Sequence, residues 1–498
     1  MKSIFKLLLI APLCIMGAAC EDAIEYAPEN EITGEAYWKN QDDVKAYLGG
    51  TYNRVRSVLN TTLYGEDRSD YWASSITGRI STAWSQNLNE SNAPEWTTFY
   101  NTIYHCNLLL QRIGSINFVN APEKNRIQAQ AHFIRAYTYF IMAKTWGEVP
   151  LVLEPVEGTD APLPSRAPLA EVFNQINADI DQALALFPEA GYVTSQGQLG
   201  KNQASKPAAY ALLADVKVWT AKVLGGGDAD LQAAIEAINL IAASGVSLLP
   251  DFTNVFASTN RKNAEIIFSL YMNFTEPPSP TITNGSQMYA RLTNPTAVQG
   301  IQSFDNASEI AYAISGPNAD PGYQPSVQAK SLLSKYPNDK RKRGSYIDGL
   351  QNGVVTYAFG NKFRGTQFQG DRYFDDDIVI YRWADMLLLR AEAQAALSNT
   401  SAAVADLDLV RIRAGIGPYA GPTDKTTLER EIVDERGREL FHENKRWWDL
   451  VRAHEAGVID IYAVVPNLAG KTTPLYWPVA SRVRSLNPNI TQTSGYEQ

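Results

Sequence analysis

The chain is poor in cysteine and histidine and lacks long apolar runs beyond its start. Its 498 residues include three cysteines, Cys14, Cys20 and Cys106, too few for a disulfide framework. Only four histidines are present, which argues against a histidine-rich metal site. After residue 16 no run of 18 apolar residues occurs, so the sequence predicts no membrane-spanning helix in the body of the chain.

Basic charge is also scarce. The chain carries 44 Lys and Arg against 53 Asp and Glu, a formal net charge of −9, so it has no overall basic field that would gather nucleic acid. Its 45% of hydrophobic residues are typical of a globular protein and exclude wholesale disorder. Aromatic residues are abundant, with 25 Tyr and 10 Trp. A core needs fewer tyrosines, because each buried hydroxyl requires a partner, so we expect some on a wet binding surface.

The short patterns of common active sites are missing, including HExxH, GxSxG and CxxC. Residues 470–472 end like a phosphate-binding loop, but its first glycine is replaced by Val465. Residues 415–420 mimic a dinucleotide loop, yet they follow a predicted helix and contain Pro418. The acidic run 375–377 offers oxygen ligands for Ca²⁺, although we interpret it as a solvated loop. The sequence therefore predicts no catalytic residue, no metal and no cofactor.

The first twenty residues form a targeting segment. Two lysines precede the apolar stretch LLLIAPLCIM, which is too short to span a bilayer as a mature helix. Small residues then lead to Cys20 and resemble a bacterial lipobox, in which the cysteine carries a diacylglycerol through a thioether. The alternative is an ordinary signal peptide with a chance cysteine. We expect residues 1–19 to be a lipoprotein signal peptide, Cys20 to be lipidated with several acyl chains, and residues 20–40 to form an anchor and acidic tether.

Apolar spacing at i, i+3 and i+4 predicts a mainly α-helical fold. Helices are expected near residues 41–59, 95–114, 122–146, 168–187, 204–224, 229–244, 382–398, 401–414 and 427–455. The alanine-rich stretches 208–244 and 384–415 each predict a helical hairpin with tetratricopeptide-like packing, since short side chains let helices approach closely. Their irregular spacing excludes a plain solenoid, so we expect a scaffold of hairpins interrupted by inserts.

Four loop-rich inserts separate these helices. They cover residues 60–94, 147–167, 250–381 and 456–498. The longest, about 250–381, has Pro-rich turns and two strand-like runs at 265–270 and 354–359. A loop region of this length is usually functional, and binding residues tend to lie on loops that a rigid scaffold holds. We therefore expect the inserts to form a ligand face.

Several motifs, in order along nearly the whole chain, resemble the SusD/RagB-type nutrient-binding lipoproteins of Bacteroidetes outer membranes. They are AYWKNQDDVKAYLGGTYN, WTTFYNTIYHCNLLLQRI, AQAHFIRAYTYFIMAKTWGEVPL, IVDERGRELFHENKRWWDLVR and LNPNITQTSGY. The third stretch, which ends in Trp146-Gly147 and Val149-Pro150-Leu151, resembles the family most strongly. One departure is Lys206-Pro207, which stands where the family more often has Arg with Ala or Val.

The resemblance implies a SusD-like domain over residues 41–498, with a tetratricopeptide-like scaffold and a loop-rich ligand face. It implies a binding protein rather than an enzyme, which captures an oligosaccharide or polysaccharide and passes it to a SusC-type TonB-dependent transporter. It also implies an outer-membrane protein, held by its lipid anchor alone, facing the cell surface and binding no nucleic acid. Glu21 and Asp22 resemble the export signal of such lipoproteins.

The predicted helix 427–455 carries charges at helical spacing. These are Glu435, Glu439 and Glu443, with Arg436, Arg438 and Arg446 nearby. They could form an anion or substrate site, but carboxylates and guanidiniums at such spacings also pair within and between helices. We interpret them as an internal salt-bridge network, and we expect Trp447 and Trp448 to pack beside it.

The first insert contains the leading ligand candidates, Trp84, Trp72, Asp67, Asp70 and Tyr71. They lie in a polar stretch without an apolar helical face. A sugar offers a flat C–H face, which an aromatic ring can cover, and a rim of hydroxyls, which carboxylates can bind. We predict that these residues contact ligand. The alternatives are loop anchoring for the tryptophans and turn stabilisation for the aspartates.

The long insert contributes two weaker groups of candidates. The first comprises Tyr289, Arg291 and Tyr312, together with Phe304 and Tyr323. The second comprises Arg364, Phe368, Arg372 and Tyr373. Ligand residues vary widely in the resembled family, so no motif assigns these positions.

Two other interpretations stay open. A RagB-type protein would use the same lid arrangement to capture peptides, which favours an enclosed groove and hydrogen bonds to the peptide backbone. Two tryptophans in the first insert favour sugar over peptide. A surface glycosidase would need two carboxylates on opposite sides of a glycosidic bond, and no such acid pair stands out.

Overall fold

The computed structural model describes residues 37–74, 81–156, 162–194, 197–198, 200–273, 303–304, 323–368 and 371–496. The predicted signal peptide, Cys20 and the ligand candidates Tyr289, Arg291 and Tyr312 lie outside these ranges. Within them α-helix predominates, which confirms the predicted mainly α-helical fold. No helix in the described part is long and apolar enough to cross a membrane.

The helices follow the apolar periodicity closely in the first half of the chain. They are α1 (Gln41–Leu59), α2 (Thr97–Arg112), α3 (Ala121–Trp146), α4 (Leu169–Leu186), α5 (Lys206–Val223) and α6 (Gly227–Ala242); α7 (Val327–Leu333) lies in the second half, at a position where no helix was predicted. The second half contributes α8 (Lys340–Ser345), α9 (Trp383–Ala396), α10 (Thr400–Ala414), α11 (Lys425–Glu439), α12 (Arg446–Glu455), α13 (Ile461–Val464) and α14 (Ser481–Leu486).

Consecutive helices pack in pairs, α3 with α4, α5 with α6, and α9 with α10. The last two pairs confirm the hairpins predicted at 208–244 and 384–415. α9 also packs against α6, so these two hairpins lie side by side although they are far apart in sequence. Alanines of α9 such as Ala391 and Ala393 are fully buried, and their small side chains allow the close approach. The scaffold is therefore built from stacked hairpins.

Local signals explain where several helices begin and end. Asn40 caps α1 in a capping box, accepting hydrogen bonds from the backbone N–H groups of Asp42 and Asp43. α10 ends at Gly415, whose φ of +85° favours glycine because a Cβ would be strained there.

One predicted helix was wrong. Residues 427–455 form two helices, because α11 ends at Glu439 and α12 begins at Arg446. The connection holds His442 and Asn444 in the left-handed region, with φ of +61° and +60°. Residues of the first loop, which we define as 60–96 between α1 and α2, contact this connection, as described below.

Short antiparallel strands carry the inserts. They are β1 (Trp72–Ser74), β2 (Val193–Thr194), β3 (Gly197–Gln198), β4 (Ile266–Leu270), β5 (Ser303–Phe304), β6 (Tyr323–Pro325), β7 (Tyr346–Gln351), β8 (Val354–Gly360), β9 (Thr366–Phe368), β10 (Asp371–Tyr373) and β11 (Ile378–Arg382). Strands β4 and β8 confirm the two predicted strand-like runs. β1 pairs with β6, β4 with β11, and β7 lies between β5 and β8.

The described residues bury two separate apolar clusters. The main core runs through the helical scaffold from Val44 to Ile490. The second apolar cluster is smaller and lies where the first loop meets the long insert; it comprises Tyr71, Trp72, Tyr323, Ala329, Leu333, Tyr346, Ala358 and Phe441. This second cluster supports the loops on which the ligand candidates lie.

Candidate functional site

The first loop is fastened to the connection between α11 and α12. The Gly65 N–H donates to Asn444 Oδ1 at 2.9 Å, and the Asn444 N–H donates to Glu66 Oε1 at 2.7 Å. A Cβ on Gly65 would lie 2.0 Å from the Asn444 carbonyl oxygen, so only glycine permits this approach. The Glu66 carboxyl is fully buried, and burial raises its pKa well above the usual range. The loop is therefore held rigidly at its start.

The two candidate aspartates are bound by protein groups. Asp70 pairs with Arg446 through two hydrogen bonds of 2.9 and 2.8 Å. Asp67 accepts from the hydroxyls of Thr62 at 2.6 Å, Ser81 at 3.1 Å and Tyr323 at 3.2 Å. Asp67 is 0% exposed and Asp70 is 6% exposed. Because their oxygens face the interior, this geometry favours the loop-stabilising alternative over direct ligand contact.

Tyr71 and Trp72 belong to the second apolar cluster. The Tyr71 hydroxyl donates to the Gly437 carbonyl at 2.7 Å, and Trp72 stacks on Tyr323 with ring centroids 5.9 Å apart. Their exposed fractions are 1% and 4%. Neither ring presents a face to solvent, so both anchor the loop in this structure, which favours the anchoring alternative; ligand contact by Tyr71 and Trp72 stays a prediction.

Trp84 differs from the other first-loop candidates because part of its ring stays at the surface. Its indole N–H donates to the Trp72 carbonyl at 2.8 Å, and its ring packs against the second apolar cluster. The Trp84 carbonyl accepts from Asn467 Nδ2 at 2.9 Å. The residue is thus fixed on both its backbone and its ring, and it is only half-buried. Ligand contact by Trp84 stays a prediction.

The pairing of β1 with β6 brings two candidate segments together. Ser74, the last residue of β1, pairs with Tyr323, the first of β6, and Gln324 Nε2 donates to the Ser74 carbonyl at 3.1 Å. The last residue of β1 and the first residue of β6 therefore lie side by side. We call the surface formed by Trp84, Ser74 and Gln324 the first-loop face. Local sequence carries no signal for this pairing, so sequence reasoning could not place these segments side by side.

Behind the first-loop face lies an internal ion network, which confirms the salt-bridge interpretation. Its members, all almost completely buried, are Glu265, Asp339, Arg341, Lys362, Arg382, Arg413, Glu435, Arg438, Glu439 and Glu443. Arg382 Nη1 lies 2.7 Å from Glu265 and 2.6 Å from Glu439. Burial alone would raise the pKa of Glu439, but three arginines, Arg413 foremost, hold it well below the usual range. These charged side chains pair with one another and do not form an open anion-binding site.

Trp447 and Trp448 also pack as predicted, with 1% and 7% of their surface exposed. The Arg68 guanidinium lies 4.3 Å from the centre of the Trp447 ring and donates to the carbonyls of Pro474 and Leu475. The first loop is thereby tied to the C-terminal segment as well.

The acidic run 375–377 is not a solvated loop. Asp375 and Asp376 are 4% and 3% exposed, and Arg261 pairs with Asp375 at 3.0 Å and with Asp377 at 2.9 Å. Our interpretation of this run was therefore wrong, because an arginine distant in sequence draws it inward. Among the residues the structure describes, no group of three or more His, Cys, Asp or Glu side chains could hold a metal ion.

Two family models match separate stretches of the chain. Residues 330–496 match the SusD family, and residues 32–218 match a family described as starch-binding and associating with the outer membrane. Together they include the first loop, α11, α12 and the C-terminal segment that fastens it.

Individual proteins agree with these models. The SusD-like protein P38 of Formosa agariphila is 25% identical over 96% of both chains. The solved structure of NanU from B. fragilis is 26% identical, with a TM-score of 0.77 over 95% of this chain and 100% of that one. A laminarin-binding SusD-like protein, 22% identical, has a TM-score of 0.73 over 92% of this chain and 100% of that one. The mainly helical hairpin fold, the ordered motifs and both family models agree that this is a SusD-like protein.

Proposed function

We propose that this protein captures a glycan at the first-loop face, binding it without chemical turnover. The observation that supports this most directly is the position of Trp84, a half-buried indole fixed beside the β1–β6 junction. An indole covers the C–H face of a sugar ring, and the neighbouring Ser74 and Gln324 provide polar groups for its hydroxyls. One family model is described as starch-binding, and one structural relative is named for binding laminarin.

The remaining candidates complete this face. Tyr289, Arg291 and Tyr312 lie outside the described residues and precede Tyr323 in sequence, and Tyr323 pairs with Ser74. We propose that they extend the first-loop face, with tyrosine rings and a guanidinium that suit sugar faces and hydroxyls. Asp67, Asp70, Tyr71 and Trp72 support the face from beneath.

A polysaccharide panel separates the possible outcomes. Wild type and Trp84→Ala would be run by affinity electrophoresis through starch, laminarin, xylan, mannan and pectin. Retardation by one glycan, lost in Trp84→Ala and kept in the control Trp38→Ala, supports the proposal. Retardation that Trp84→Ala leaves unchanged places the site elsewhere. If none of the five retards the wild type, glycan binding is contradicted, and peptide ligands of the RagB type are tested next.

We further propose that the protein is an outer-membrane lipoprotein, anchored through Cys20 and facing the cell surface, that passes glycan to a SusC-type TonB-dependent transporter. A protein that only binds at the surface delivers nothing, so capture requires a pore. Gentle detergent extraction of the native protein should co-purify a large β-barrel protein. The full-length Cys20→Ala variant should leave the membrane fraction. Extraction without any such barrel would contradict the partnership, and a membrane-bound Cys20→Ala variant would contradict the anchor.

A further inference from the structure

A second concave site includes Asp70 of the first loop in its lining. We call it the α7–α12 groove, because α7, α11, α12 and residues 459–464 form its sides. Its volume is about 540 Å³, within the range of small-ligand sites. Six of its thirteen lining residues are aliphatic: Val327, Leu332, Val433, Leu450, Ile459 and Val464.

The floor of the groove is rigid and electrically balanced. It consists of the Asp70–Arg446 pair, and Arg446 Nη1 also donates to the Val433 carbonyl at 3.0 Å. At Gly437 a Cβ would lie 2.6 Å from a Leu332 methyl and 2.8 Å from Arg446 Nη1, so glycine leaves the room in which these side chains pack between α7, α11 and α12. The groove is thus a built concavity and does not depend on a chance arrangement of surface side chains.

Asp434 is the unusual group in this groove. It lines the cavity from α11, is half-buried, and forms no hydrogen bond or ion pair with any residue that the structure describes. Burial raises the pKa of its carboxyl, although Arg446, Arg438 and Lys335 oppose that effect and Glu431 adds to it. Its oxygens are not among the fully buried unpaired polar atoms of the described residues, so they stay accessible from the groove. Such groups in clefts are often retained for a ligand.

The chemistry of the lining selects the class of ligand. The groove holds two carboxylates, Asp70 and Asp434, against three cations, Lys335, Arg430 and Arg446, so it has no excess negative charge to attract a cation. Its rim adds the exposed amide and hydroxyl of Gln328 and Ser331. A neutral sugar matches all three kinds of lining group. Its hydroxyls can donate to a carboxylate and accept from basic side chains, and its C–H faces can pack on aliphatic walls.

We propose that the α7–α12 groove is a second saccharide-binding site, in which Asp434 accepts hydrogen bonds from sugar hydroxyls and the aliphatic walls cover a sugar ring. This inference rests on the proposed glycan binding. Asp70 forms the floor of the groove, and Trp72, two residues later, lies under the first-loop face. One long glycan that contacts both sites would bind more tightly than a short one, because the second contact becomes intramolecular.

The test counts binding sites by isothermal titration calorimetry. The titrant is an oligosaccharide of the glycan that retards the protein in the panel. Wild type should bind two oligosaccharides per chain, and Asp434→Asn should bind one while keeping the site that Trp84→Ala removes. Asp434→Asn should also weaken polysaccharide binding about tenfold. The control Glu455→Gln, which neutralises an exposed carboxylate outside the groove, should behave like wild type. Asp434→Asn removes no internal partner, so its thermal stability should equal or exceed that of wild type.

The remaining outcomes separate the two proposals. One site per chain, lost in Trp84→Ala and unchanged in Asp434→Asn, overturns the groove and leaves the first-loop face. One site lost only in Asp434→Asn overturns the first-loop face and supports the groove. No binding by any glycan in the panel overturns both.

Discussion

At the scale of single residues, Asp70 shows how the first loop depends on a buried ion pair. Asp70→Ala would leave the Arg446 guanidinium buried with no carboxylate, because the pair is almost fully shielded from solvent. Removing one partner of a buried pair costs about 3–5 kcal/mol. We expect urea unfolding to show a loss of this size.

A surface pair provides the control for Asp70→Ala. Asp42 lies 3.3 Å from Lys45 and is 79% exposed, so Asp42→Ala should cost less than about 1 kcal/mol. Equal losses for the two variants would show that the Asp70–Arg446 pair does not fasten the loop.

Asp385 predicts how stability responds to acid. Burial would raise its pKa, but Lys445 and Arg436 lower it to about 2. Because the folded pKa is below the unfolded value of about 3.9, Asp385 stabilises the fold above pH 4 and that contribution disappears as the pH falls towards 2. Its size is about 2 kcal/mol by linkage. Asp385→Asn should flatten the fall in unfolding free energy between pH 4 and 2, measured by urea titration, whereas Asp181→Asn on the exposed face of α4 should not.

Sequence alone could not separate ligand residues from anchoring residues in the first loop. Asp67, Asp70 and Trp72 have the residue types and polar surroundings of a sugar site, and nothing nearby in sequence indicates their burial. Their partners, such as Arg446 and Tyr323, are supplied by segments more than 200 residues away. Trp84 is the candidate whose accessibility matches the prediction.

At the scale of elements, the connection between α11 and α12 should be sensitive to Gly65. Gly65→Ala would place its Cβ 2.0 Å from the Asn444 carbonyl oxygen and force the first loop away. We expect a loss of more than about 2 kcal/mol, typical of a clash with a fixed backbone, measured by thermal and urea unfolding.

The matched control for Gly65→Ala is a substitution that should raise stability instead of lowering it. A Cβ on Gly49, within α1, meets nothing within 4 Å, so Gly49→Ala should raise stability by about 0.5–1 kcal/mol. If Gly65→Ala were also stabilising, the close approach between first loop and connection would be refuted.

Helices were predictable from sequence because their apolar periodicity is local. The two alanine-rich hairpins have the predicted pairing, and α1 has the predicted bounds. The break before α12 was not predictable, because residues 440–445 continue the helical spacing of their neighbours. The left-handed backbone of His442 and Asn444 accompanies hydrogen bonds between Asn444 and the first loop, which periodicity does not encode.

At the scale of the whole molecule, buried charged side chains connect segments that are far apart in sequence. Glu265, Arg382 and Glu439 come from the long insert, the end of β11 and the end of α11, and they meet in one internal ion network. The stretch containing Glu435 and Glu439 predicted such a network, although the partners Glu265 and Lys362 were not foreseen. The scaffold therefore holds the first loop and long insert against each other, with Trp84 at their junction.

The affinity of Trp84→Ala for an oligosaccharide of the glycan that retards the wild type tests the central claim most directly. Isothermal titration should give at least a tenfold weaker dissociation constant than wild type at the first-loop site, since losing one aromatic contact of about 1.4 kcal/mol corresponds to that factor. Trp38→Ala, which removes a half-buried indole at the start of α1, should leave the constant unchanged. Equal affinity in wild type and Trp84→Ala would contradict glycan capture at the first-loop face.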